Sequence, residues 1–541
     1  MKESKSCPHS MKKHEKKHRS LWILGLLAFG SVIWLILRTG RKPSRITYPC
    51  QQVAVANIQI FRLALLASIP TISSLRTSMR YFKPTLILSV LFVSSVFLVN
   101  DPYIQSLDIF AEDRARVSLT LSPQSSLSSN PSDLFFVQNA SGVEGDMDLA
   151  VSSLIELMEA QDLYFYKNAS LSSGLIGRND VVILKVNGQW PYNGGTNTDL
   201  VKSLIKAIIG HPDGFTGEVV IADNGQGRGS MDFSQTNSFY HDQSYTDVAD
   251  MFETHHVSAF LWDSIRRTTV DDFDDIDFTD GYVRSSIWNS DTEIYVSYPK
   301  FTTEYGTHIS FKKGVWDNTS GFDSNQLKVI NMPILKTHSI YGVTACIKNY
   351  MGVPQGYAVS SISPTTPHEH FSIVHGGLAT LMVETRAPIL NILDMIWINA
   401  NPRESSSSCG PSSYYTATSF ADIIGASQDP VALDYWASKN ILVPTAMLNY
   451  DSYSSLDPDY ESSFHNYLRR SKDILINAGV QATMNPSEMN IHVKVLEGTP
   501  LVDPDSTDEI NPLLIALAVI LPLSAGTFVI VVIFIKRRKK K

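Results

Sequence analysis

The 541-residue sequence predicts an α/β domain, a largely parallel sheet with flanking helices, carried between N-terminal and C-terminal transmembrane helices. Three observations lead there. Strand-period and helix-period apolar runs alternate through the middle of the chain, charge-free apolar runs stand near both ends, and charge is divided sharply along the sequence. Residues 1–99 hold 15 Lys and Arg against 2 acids, and residues 536–541 (KRRKKK) hold 6 bases and no acid. The 24 basic and 51 acidic residues between them give the body a net charge of −27. Such a body repels nucleic acid, whose phosphates must be neutralised by clustered Lys and Arg, so nucleic acid is excluded as a partner.

In order from the N-terminus, residues 1–117 form a basic region with apolar segments. LWILGLLAFGSVIWLIL (21–37) reads as a membrane span, with a cleaved signal peptide as the competing reading. VAVANIQIFRLALLASI (53–69) is interrupted by Arg62 and reads equally as a span or as an interfacial helix, and TLILSVLFVSSVFLV (85–99) is short but flanked by Tyr81 and Tyr103. The serine- and proline-rich stretch 118–132 is a linker, 133–497 the folded body, 498–512 a stalk, 513–535 a transmembrane helix and 536–541 a basic tail. The positive-inside rule places KRRKKK in the cytoplasm. The lipid bilayer of a cell membrane is therefore an expected partner, with the main domain extracytoplasmic.

Inside the body, 147–159 shows a helical stripe of Val151, Leu154, Ile155 and Met158, with Asp146 placed to cap it. DVVILKVNG (180–188) reads as a buried strand, and TDLVKSLIKAIIG (198–210) as a helix capped by Thr198 and stopped by Gly210. GEVVIADNGQG (217–227) is the next strand, which completes a strand, helix, strand unit. Further strands are expected at 292–301, 327–335 and 387–398, while the acidic, aromatic stretch 231–291 reads as an insertion or a solvated excursion.

Polar residues recur where these buried strands end, the usual place for ligand sites in α/β sheets. Lys185 and Asn187 close the first strand, Asp223 the second, Lys336 and His338 a later one, and Asp394 lies in the last. Lys348 and Asn349 follow closely, and a helix over 341–351 sets Thr344 and Lys348 one turn apart. A buried lysine is costly unless it meets an anion, so Lys185, Lys336 and Lys348 suit a small carboxylate or phosphate ligand, or Asp223 and Asp394. Asp429 before Pro430 has the signature of a helix N-cap. His368, His370 and His375 give a histidine-rich segment that admits a divalent metal, although the spacing matches no standard zinc motif and exposed histidines in an irregular loop are the commoner outcome. The four cysteines form no CxxC pair, so this chain carries no iron–sulfur cluster motif.

VINMPILKTHSIYGVTACIKNYMG (329–352) resembles the signature of the large prokaryotic family numbered 362 among the domains of unknown function. VVILKVNG, TDLVKSLIKAI, VVIADNGQG, ILNILDMIWI and GASQDPVALDYWAS are similar to its other segments, in the order the family shows, over about 150 to 445. The resemblance implies an α/β fold and, in some relatives, fusion to ferredoxin-type domains. It implies no established activity. Two readings follow. In the first, the domain is an enzyme on a small anionic ligand, with or without a divalent metal. His338, Lys336 and Lys348 then do the chemistry, and Lys185, Asn187, Asp223, Asn349, Thr344 and Asp394 bind the ligand. In the second, it is a non-catalytic binding or interaction module whose contact face is the acidic 231–291 region.

Overall fold

Apolar runs that can expose neither face fold as strands of one central sheet. The structure, a computed structural model, describes residues 119, 121–126, 128–141, 147–226, 231–233, 238, 241–292, 294–355, 372–401, 418–450 and 453–497, all within the unit that spans 112–541. In chain order the elements that position the site begin with β1 (Ser132–Gln138), α1 (Asp148–Glu159), β2 (Val181–Lys185), α2 (Thr198–Ile209), β3 (Glu218–Asp223) and β4 (His256–Leu261). There follow β5 (Leu327–Asn331), β6 (Ile334–His338), β7 (Gly342–Thr344), α3 (Cys346–Asn349), α4 (Gly377–Glu384) and β8 (Leu390–Asn399). The last are β9 (Ser419–Ser427), α5 (Pro430–Ala437), α6 (Ser463–Asn477) and β10 (Met489–Val495).

These ten strands make one sheet in the order β10-β1-β9-β8-β5-β2-β3-β4, with β6 pairing β8 and β7 pairing β6. Strands β8, β5, β2, β3 and β4 run parallel. Strand β9 is antiparallel to both β8 and β1, and β7 to β6, while the other pairings are parallel, so the sheet is mixed but largely parallel. The polar sequence between β8 and β9 offers no apolar helical stretch for a crossover, and an antiparallel return needs none. Along β2, Val182 and Leu184 face one core with α1 and α2, while Val181 and Ile183 face another with Trp436 and Phe464. Burial on both faces is why the strand reads as an unbroken apolar run.

The stretch 231–291 is not an excursion. It supplies β4 and opens a second, six-stranded sheet between Thr269 and Asp323, in which the strand foreseen at 292–301 also lies. Its acidic segment 271–280 wraps a lysine. Lys300, fully buried, donates to the carbonyls of Asp271 (2.9 Å) and Asp277 (3.2 Å) and lies 4.5 Å from the centre of the Phe273 ring. Asp272 accepts from Tyr298 and Ser310, and Asp280 from the backbone and hydroxyl of Thr302. Lys300→Met leaves the two carbonyls without this charged donor and costs on the order of 2 kcal/mol of stability. Urea unfolding checks this, and a change below about 1 kcal/mol would mean the loop does not depend on the lysine.

Helix ends follow local chemistry. The N-cap of α2 is Asn197, one residue before the expected Thr198, because its side chain accepts from both Asp199 and Leu200 N–H. The first helix is capped at Met147 without a side-chain bond, and Asp146 lies outside the described residues. Asp429 caps α5 as foreseen, accepting from Val431 (2.9 Å) and Ala432 (2.8 Å).

One expectation is corrected outright. Among the described residues no helix is long and apolar enough to cross a membrane, so the transmembrane helices do not belong to the architecture seen here. The 15-residue α6 is amphipathic and carries Arg469, Arg470, Lys472 and Asp473. The runs 21–37, 53–69, 85–99 and 513–535 lie outside the described residues.

Candidate functional site

Pro333 opens the site. It has no N–H to give to a ladder, so the single strand expected over 327–335 breaks at Met332 and Pro333 into β5 and β6. Strand β5 stays paired with β2 as far as Asn331 opposite Lys185, whereas β6 shifts to β8, placing Ile334 opposite Asp394 and Lys336 opposite Asn399. The chain leaves β2 toward β3 and leaves β5 toward β8, so its connections part between β2 and β5, the arrangement that opens a crevice at the carboxyl ends of α/β sheets.

Lys185 and Asp223 fill this gap. Lys185 Nζ stands 2.6 Å from Asp223 Oδ1 and donates to the Val186 carbonyl at 2.9 Å. Asp223 Oδ2 accepts the Gly188 N–H at 2.7 Å, and both side chains are buried. Burial draws the Lys185 pKa below the usual lysine range while Asp223 pulls it back up. Gly352 packs directly on the pair, where a Cβ would collide with Asp223 Oδ1 and crowd Lys185 Nζ. Gly352→Ala therefore splits the pair, with an expected loss of about 2 kcal/mol or more in urea unfolding. An alanine variant within about 0.5 kcal/mol of the parent would show that the close approach is not needed.

A chain of amides runs beneath. Asn187 Nδ2 donates to Asn349 Oδ1 at 3.2 Å, and Asn349 Nδ2 to the Lys185 carbonyl at 3.2 Å and Asn331 Oδ1 at 2.9 Å. Asn331 Nδ2 in turn reaches Asn391 Oδ1 at 2.9 Å. Lys336 Nζ joins from β6, donating to Asn187 Oδ1 at 3.2 Å and to the Gly194 carbonyl. Tyr245 closes the far side by donating to the Thr196 carbonyl at 2.8 Å; burial, then Asp223 and Asp394, hold its phenol well above the usual range.

Lys348 is different. It is only 7 % exposed, and its ammonium has no hydrogen-bonding or ionic partner among the described residues. Burial, reinforced by the positive charge of Lys185, lowers its pKa to about 7. Its carrier is short: the helix expected over 341–351 is instead strand β7, the four-residue α3 and a 3₁₀ turn, Tyr350–Gly352. Gly342 causes this, with φ of +75° and no room for a Cβ against the Ser455 carbonyl, and it sends the chain back along β6. Thr344 thus lies opposite Lys336 in the β6–β7 pair and not one helical turn from Lys348. Asp434 anchors α3 by accepting the N–H groups of Cys346 (2.7 Å) and Ile347 (3.0 Å), and burial lifts its pKa to about 7.

The remaining candidates stand elsewhere. Asp394 accepts the N–H of Asn197 at 2.8 Å and of Ile396 at 3.0 Å, which ties β8 to the start of α2. His338, half-buried at the end of β6, uses Nδ1 to accept the N–H groups of Ile340 and Tyr341, both at 3.2 Å. His375 is exposed, His368 and His370 lie outside the described residues, and among the described residues no group of three or more His, Cys, Asp or Glu is placed to hold a metal ion. A surface depression of about 330 Å³ lined by Ser132, Val480, Thr483 and Glu488 contains none of the site residues. Sequence reading passed over Asn331, Gly352 and Asn391 as site residues, although the first two stand inside the signature-like stretch 329–352, and it left open whether Asp434 faces the site or solvent.

Fold and site together define an α/β protein with a buried lysine, carboxylate and amide cluster at the carboxyl edge of its sheet. Residues 325–439 match the family model described as Domain of unknown function (DUF362). The matched segment contains Asn331, Lys336, Lys348, Asn349 and Asp434, while Lys185 and Asp223 come from strands before it. No curated protein and no solved structure matches the chain.

Proposed function

We propose that the domain binds a small anion, a carboxylate or phosphate compound, at the carboxyl edge of the main sheet and acts on it through Lys348. The observation that carries this reading is Lys348, a residue only 7 % exposed that makes no hydrogen bond or ion pair with the described residues. An unpaired buried cation costs free energy that an incoming anion returns, and a lysine brought near neutral pH can also move a proton. Lys185 is held by Asp223, and Lys336 is held by Asn187 and the Gly194 carbonyl, so of the three lysines Lys348 is the one left to meet an incoming anion. The alternative, an interaction module using the acidic region, has less support, because the carboxylates of Asp272 and Asp280 are engaged with Tyr298, Ser310 and Thr302, and that of Asp277 lies 3.5 Å from Lys300.

The test is calorimetric titration of the full chain with inorganic phosphate and with succinate at pH 6, where Lys348 is charged. Saturable binding of at least one of them is expected, weakened roughly tenfold or more in Lys348→Met, the worth of one charge-assisted hydrogen bond. Equal binding by the variant, or none by the parent, contradicts the proposal.

A further inference from the structure

We infer that Lys348 is a carbonyl-trapping lysine, whose Nζ condenses with the aldehyde or keto group of a small anionic substrate to give an imine. This deepens the anion-site reading and rests on it.

Two of the three lysines are unfit for such a role. Lys185 Nζ is committed to Asp223 and the Val186 carbonyl, and Lys336 Nζ to Asn187 and the Gly194 carbonyl. Lys348 has no partner among the described residues to hold a proton on its nitrogen. Its surroundings work in the same direction. The segment that carries it bends around Lys185: Asn349 donates to the Lys185 carbonyl at 3.2 Å, and Gly352 abuts Lys185 Nζ. Lys185 thus lies against the segment that carries Lys348, and Asp223 at 2.6 Å keeps its ammonium charged. A second ammonium in an apolar site is a known way to make a lysine nucleophilic, because the neighbouring charge opposes protonation. Burial and Lys185 accordingly leave Lys348 with a substantial uncharged fraction at neutral pH. Its position is also fixed, because Asp434 holds the first two N–H groups of α3.

The chemistry balances without an oxidant or a reductant. The lone pair of the uncharged Nζ forms the N–C bond as the carbonyl π pair moves onto oxygen, and a proton passes from nitrogen to that oxygen through solvent. The carbinolamine then expels the oxygen as water, leaving C=N between substrate and Lys348. The sum is amine plus carbonyl giving imine plus water. Protonation of the imine then makes it an electron sink for bond cleavage or proton loss at the adjacent carbon, so the substrate class is an oxo acid or a phosphorylated aldehyde or ketone.

The probe is pyridoxal 5′-phosphate, an aldehyde that carries a phosphate, added to the full chain at pH 7.5 with sodium cyanoborohydride and followed by peptide mapping. One reduced adduct per chain is expected on Lys348, at least tenfold above any surface lysine. Inorganic phosphate should suppress it and Lys348→Arg should abolish it. Adducts distributed over exposed lysines with Lys348 unmodified, in a chain that still binds phosphate through Lys348, overturn the imine and leave the anion site standing. If phosphate does not bind at all, both fall.

Discussion

Asp223→Asn lowers the stability of the folded domain by about 3–5 kcal/mol, the usual cost of leaving one member of a buried ion pair unpaired. Lys185 Nζ lies 2.6 Å from Asp223 Oδ1 with both side chains buried, so the variant strands an ammonium that has only the Val186 carbonyl left. The Gly188 N–H loses a charged acceptor as well. Urea unfolding of parent and variant at pH 7 gives the number. The companion experiment is Lys185→Met in the Asp223→Asn background, which recovers most of the loss because the stranded charge is gone. A loss below about 1 kcal/mol would mean that water already reaches the pair and that the site is more open than its burial indicates.

Lys348→Met has the opposite sign. It removes an unpartnered buried ammonium and raises stability while weakening anion binding. The pKa falls from 10.5 to about 7 on folding. At about 1.4 kcal/mol per unit this costs up to about 5 kcal/mol below pH 7, and contact of the amine with solvent brings the expected gain to about 2–4 kcal/mol. The pH dependence follows from the direction of the shift. Between the two values the unfolded chain holds a proton that the folded chain does not, so the parent gains stability as pH rises from about 7 toward 10.5. The advantage of the variant is therefore full below about pH 7, declines as pH rises toward 10.5 and is gone above it, with burial and then the charge of Lys185 setting it. A variant less stable than the parent at pH 7 would show that the lysine is partnered after all. Stability given up at one residue for binding is the familiar trade at functional sites.

Much of this arrangement is legible in the sequence, for definite reasons. Continuous apolar runs identify β2, β3 and β8, and strand ends in an α/β sheet are where ligands go, so position along the chain is enough to single out Lys185, Asn187, Asp223 and Lys336. Asp429 before Pro430 carries a local capping signal that needs no tertiary contact. What stays hidden depends on distant partners. The bond from Asn187 to Asn349 joins residues 162 apart, and Asp434 reaches Cys346 across 88. No local pattern announces either. Pro333 is in plain view, but its effect, the shift of β6 from the neighbourhood of β2 to β8, depends on β8 being there to accept it. The acidic run 271–280 looks solvated because the lysine it encloses lies twenty residues further on, at Lys300. Thr344 and Lys348 look like one helical face because apolar spacing cannot register that Gly342 turns the chain back.

The most direct measurement is the pH titration of the Lys348 ε-carbon by NMR in the full chain, assigned with Lys348→Arg and repeated with saturating inorganic phosphate. An unpartnered buried amine beside Lys185 titrates near pH 7, and a bound anion moves its midpoint upward by about one unit or more, since each unit corresponds to only about 1.4 kcal/mol of added favour for the charged form. A midpoint near 10.5 in the free protein, or one that phosphate leaves unmoved, would contradict the account.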